Sequence, residues 1–209
     1  MAKYKLSWKD LTWNDFKIYL FALFKAFIPK KKIKNIDDLE AFIQAKSAWV
    51  TQVTLYGYLK TRMGLKQHMM FTDDVFVESV NKAKWNIFSE AVTDLTLFSV
   101  SFLNKKYNIN NLDPNKMYET ILENEIITGL PKDLCEKYKL KFKNKLNGFN
   151  IKDYSDNNPF TNSCNALFHW APIADELKEL DKEIVINSIK NKWMLVQADF
   201  EKIPVSFKN

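Results

Sequence analysis

From Thr72 to Lys105 the chain contains neither glycine nor proline, and its apolar residues keep an unbroken rhythm. Phe76, Val80, Ala83, Ile87, Ala91, Leu95, Phe98 and Phe102 follow one another at steps of three and four, which places them on one face of a helix. Val77, Trp85, Phe88 and Val92 widen that face beyond a single seam. A helix apolar over so much of its circumference belongs at the centre of a bundle, touching neighbours on two sides. Thr72-Asp73-Asp74 supply its start.

The rest of the chain agrees with a helical architecture. Four glycines and six prolines serve 209 residues, too few for the many tight turns of a β-sandwich or barrel. With 46% hydrophobic residues there is enough apolar mass for a core. The expectation is an all-α, single-domain bundle of six to eight helices over residues 1–209.

A helix is predicted from about Asp37 to Met63, with Asp37 and Asp38 suited to its N-terminus and Gly64 to its C-terminal cap. Phe42, Ala45, Trp49, Val53, Tyr56 and Met63 form its core stripe. The short connection 65–71 predicts antiparallel pairing with the central helix. Asp113-Pro114 opens a further helix that Gly129 ends. Pro131 to Asn147 reads as another. Its alternating lysines (137, 139, 141, 143 and 145) also fit a strand, with Asn147-Gly148 as a hairpin turn, but the start and stop signals favour the helix. Residues 150–162 read as the one long loop. A short helix follows from Asn162 to Trp170, another begins after Pro172, and the last runs from about Asp181 to Glu201 on Ile184, Ile186, Ile189, Trp193, Val196 and Phe200.

The net charge is +6, and of 31 basic residues only Arg62 is an arginine. The charge is unevenly placed. Residues 1–34 carry nine lysines against Asp10 and Asp15, hence +7, so the remainder is close to neutral. In the same segment Trp8, Trp13, Phe16, Tyr19, Phe21, Phe24 and Phe27 crowd a helix predicted to end before Pro29, and Lys30, Lys31, Lys32 and Lys34 follow it. Aromatic residues beside a lysine cluster are the ingredients of an interfacial membrane anchor, with Trp8, Trp13 and the four lysines as contact residues. The competing reading is a first bundle helix with solvated lysines. Phe16 to Ile28 is too short to span a bilayer, which takes about 20 apolar residues.

The opening residues show no signal-peptide pattern. Cys135 and Cys164 are too few for a disulfide framework, so a reducing compartment and a cytoplasmic location are expected. A phosphate-tracking module would favour arginine, which argues against nucleic acid as a partner.

Glycines at 57, 64, 129 and 148 leave no room for a Walker loop, a dinucleotide fingerprint or a nucleophile elbow. With His68 and His169 as the only histidines, no multi-histidine metal centre can be assembled, and no cofactor is expected. Cys164 and His169 share one segment, but five residues place them roughly 140° apart on a helix. A buried cysteine and a histidine near a helix end is the simpler reading.

The helix predicted over 37–63 carries a second stripe. Gln44, Ser47, Thr51, Thr54, Tyr58 and Arg62 recur at three and four. Uncharged hydroxyls and amides in so lysine-rich a chain indicate a covered face, closed either by another helix or by a ligand. The planar fork of Arg62 suits a carboxylate or phosphate. It is expected either to pair with Glu90 or Asp94 of the central helix, or to clamp an anionic ligand as part of a binding or enzymatic site.

Residues 45–64 (AKSAWVTQVTLYGYLKTRMG) and 71–85 (FTDDVFVESVNKAKW) resemble an alphaproteobacterial protein family over residues 40–105. Some of its members carry an esterase label. Without a nucleophile elbow the resemblance transfers no catalytic residue; it implies a bacterial cytoplasmic protein. The combined expectation is a non-enzymatic accessory or interaction protein.

Overall fold

The structure, a computed structural model, describes residues 32–64, 72–147 and 150–207. These residues form six α-helices: α1 (Ile36–Met63), α2 (Asp74–Tyr107), α3 (Pro114–Ile126), α4 (Lys132–Leu146), α5 (Thr161–Trp170) and α6 (Asp175–Lys202). A 3-10 turn, Ile151–Asp153, precedes α5. Among the described residues there is no strand, only an isolated parallel bridge between Ile33 and Val205. The all-α bundle expected from the sequence is what forms.

Local chemistry sets the helix ends. Asn35 caps α1 by accepting the Asp38 N–H at 2.8 Å. Asp73 caps α2 through the N–H groups of Val75 and Phe76, and Asp113 does the same for α3 ahead of Pro114. Asn108, at φ 54°, closes α2 with its N–H turned back to Leu103 and Asn104 carbonyls. The lysine-alternating segment is helical, because Cys135, Tyr138 and Phe142 bury one face of α4.

Every residue from Trp85 to Ser101 is buried, so α2 is central as its sequence predicts. It packs on α1, α3, α5 and the 3-10 turn; α6 closes on α1 and α5, and α3 pairs with α4. Aromatic rings fill the seams. Phe160 stacks on Trp193 at 4.4 Å, Phe98 meets Phe160 at 5.2 Å, and Tyr118 stacks on Phe142 at 4.1 Å.

Two expectations change in α6. Asp175 to Lys202 is one helix rather than two, since neither glycine nor proline interrupts it and Asp175 and Glu176 occupy its first turn. Its core series is Val185, Ile189, Trp193, Val196 and Phe200. Ile184, assigned to that series from the sequence, is 72% exposed, because one step along a helix turns a side chain by 100° and Val185 takes the inward place. The helix predicted ahead of Pro29 lies outside the described residues, as does the connection 65–71.

Candidate functional site

The polar stripe of α1 is covered, as its composition demands. Ser47, Thr51 and Thr54 are buried, and Gln44 and Tyr58 are half-buried. Gln44 donates to Glu125 of α3 at 2.7 Å. Thr54 turns its hydroxyl back to the Val50 carbonyl. Ser47 and Thr51 Oγ atoms find no hydrogen-bond partner, as is true of Thr96 and Ser99 on α2.

The stripe ends at Asp181. Arg62 donates to it through both Nε and a terminal nitrogen, and the Tyr58 hydroxyl donates to the same carboxylate at 2.9 Å. Three donors on one carboxylate hold it below the ordinary carboxylate range, the Arg62 hydrogen bonds most of all. The Tyr58 hydroxyl is pushed up to about 12, first by burial and then by its bond to Asp181. The expected partners of Arg62, Glu90 and Asp94, are engaged elsewhere. Glu90 pairs with Lys141 of α4. Arg62 sits in the last turn of α1, and the carboxylate presented there comes from α6. The anion that the guanidinium fork was expected to grip is a side chain of the protein itself.

Asp94 is a second polar centre, fully buried in α2. It accepts from Tyr154 Oη at 2.6 Å, Asn162 Nδ2 at 2.6 Å, and both the backbone N–H and the hydroxyl of Ser163 at 2.7 Å. Trp193 Nε1 donates to Ser163 Oγ at 2.9 Å. The carboxylate thus caps α5 from outside, where the helix dipole favours negative charge. Burial pushes the Asp94 carboxyl up, and these donated hydrogen bonds oppose the shift. Reading the sequence by motif misses this network, because its members lie on four separate elements and no spacing links them.

No protein family, curated protein or solved structure matches this chain. Its chemistry therefore has to be read from its own side chains.

Cys164 is buried beside Asp94, and burial raises its thiol to about 12, the opposite of an activated nucleophile. His169 is exposed against Trp170 rather than facing the cysteine. Among the described residues no cluster of His, Cys, Asp and Glu could hold a metal ion, and no helix is long and apolar enough to cross a membrane. A shallow depression of about 390 Å³ opens where α2 and α6 end, floored by Phe98 and Phe102. Its rim charges are already committed: Lys105 pairs with Asp156 at 2.5 Å, and Lys106 donates to the Glu201 carbonyl.

Of the proposed membrane-contact residues, Trp8, Trp13, Lys30 and Lys31 lie outside the described residues. Lys32 and Lys34 are exposed on either side of Ile33, which is 0% exposed. Ile33 donates its N–H to the Pro204 carbonyl at 3.0 Å and accepts from Ser206 at 2.9 Å.

Proposed function

We propose that this protein is a non-enzymatic, cytoplasmic accessory protein that docks reversibly on an anionic membrane surface through residues 8–34. The observation that carries the reading is the anchoring of Ile33. A buried isoleucine held by two backbone hydrogen bonds fixes Lys32 and Lys34 outward, at the foot of the +7 segment. Lysines at such a position engage anionic headgroups at about 1 kcal/mol each, while aromatic residues of the segment enter the acyl boundary.

The internal pairing of Arg62 and Asp181 favours this reading over anion binding on α1. A ligand phosphate there would have to displace a carboxylate that holds α1 to α6.

Liposome co-sedimentation at low and high salt tests the proposal. The full chain should bind vesicles containing phosphatidylserine, release them at high salt, and ignore neutral phosphatidylcholine vesicles. Changing Lys30, Lys31, Lys32 and Lys34 to glutamine should abolish most binding without altering the helical circular dichroism. Equal binding to both vesicle types, or to neither, would overturn it.

A further inference from the structure

The exposed side of α6 carries a second apolar series, separate from the one in the core. Leu177, Leu180, Ile184, Asn187, Asn191 and Met194 recur at steps of three and four through five intervals, the a/d pattern of a coiled coil. Leu180 is 77% exposed, Ile184 72% and Met194 65%, so no described element covers the seam. The exposed side of α4, by contrast, is mostly charged, with Leu140 as a single exposed leucine. A seam of this kind on the solvent face of a long helix needs a partner helix.

We propose that α6 pairs antiparallel with α6 of a second copy of this chain, forming a two-fold symmetric dimer. The ends of the seam and its flanking charges select that occupant. An isologous contact requires a surface complementary to its own two-fold image. Here the ends of the seam, Leu177 at one and Met194 at the other, are apolar, and its two asparagines fall opposite Leu180 and Ile184. Antiparallel pairing lays Leu177 of each copy against Met194 of the other and brings Ile184 against Asn187 near the axis.

The flanking charges fit the same register. Glu183 and Lys190 each precede an a position, and in an antiparallel pair such positions face their own kind across the seam. With Leu177 opposite Met194, Glu183 of each copy lies two residues from level with Lys190 of the other, about 3 Å along the axis, close enough for two symmetric ion pairs. Parallel pairing would not bring these two together. Each asparagine faces an aliphatic side chain in this register, Asn191 against Leu180 and Asn187 against Ile184, which limits the strength of the contact. One helix face per copy is less than the roughly 800 Å² each partner contributes to a standard interface, so the dimer is a weak one, at micromolar concentration or above.

Sedimentation velocity of the full chain, from low micromolar to near-millimolar concentration, is the test. The mass should move from one chain to two as concentration rises. Leu180→Glu should remain a single chain throughout, with unchanged helical circular dichroism, since the position is exposed. Glu183→Lys should weaken association about tenfold, and Glu183→Lys combined with Lys190→Glu should restore it to near the original value. A single chain at every concentration would overturn the proposal; this is also the outcome expected if residues 1–31 of the same chain cover the seam. A dimer indifferent to Leu180→Glu, or a double charge swap as weak as the single, would equally overturn it.

Discussion

Asp94, midway along α2, accepts a hydrogen bond at 2.7 Å from the backbone N–H of Ser163 in the first turn of α5. The capping residue of one helix is thus the core residue of another. It satisfies an N–H group that no intrahelical carbonyl can reach, and it joins the central helix to the 3-10 turn through Tyr154 and to α6 through Ser163 and Trp193.

Removing that carboxylate should leave several buried donors unpaired at once. Asp94→Ala is expected to lose about 3–5 kcal/mol of unfolding free energy in urea titration. Tyr154→Phe, which removes a single donor, should lose only about 1 kcal/mol. Near-equal losses for the two variants would contradict the network described.

The Arg62–Asp181 contact carries a pH signature. Because Asp181 is held below its ordinary value in the folded chain, its contribution is full above about pH 4, the unfolded carboxylate value, and disappears as pH falls through the lower folded value. The melting-temperature gap between wild type and Asp181→Asn should therefore be constant near neutrality and close in acid. Arg62→Lys, unable to reproduce the fork, should melt a few degrees lower with no ligand present.

Cys164 should be chemically silent. With its thiol raised to about 12, almost no thiolate exists at pH 8. Disulfide-exchange reagents should leave it unmodified in the native protein and label it promptly in denaturant, as mass spectrometry of the peptide would report. Rapid native labelling would mean that the α5–α6 seam opens readily.

Thr51 offers a gain rather than a loss. Its buried hydroxyl has no partner and costs desolvation without return. Thr51→Val keeps the shape and should raise stability by about 1 kcal/mol in chemical denaturation.

The core was more legible in the sequence than the polar contacts. The rhythm from Phe76 to Phe102 located α2 and its central place, because helix period and burial are both written locally. The polar stripe on α1 correctly announced a covered face. Its partners were not legible: Arg62 meets a carboxylate 119 residues away, on a helix whose rotation about its axis no local pattern fixes. That same rotation decided α6. Ile184 and Val185 are adjacent and both aliphatic, and only packing against α1 and α5 determines which of them turns inward. Asp94 was legible as an oddity in an apolar helix, but not as a cap, since the helix it caps begins more than sixty residues later.

The bridge between Ile33 and Val205 brings the segment before α1 alongside the segment after α6. The described fold is therefore a nearly closed ring, whose seam consists of two backbone hydrogen bonds rather than a peptide bond. Joining Phe207 to Lys32 through a flexible linker, in a chain lacking residues 1–31, and reopening it at an exposed turn, such as that between α3 and α4, would give a circular permutant with every described helix contact kept. The helices would then assemble in a different temporal order around the same α2, and comparing folding rates of the two chains would separate the influence of connectivity from that of packing.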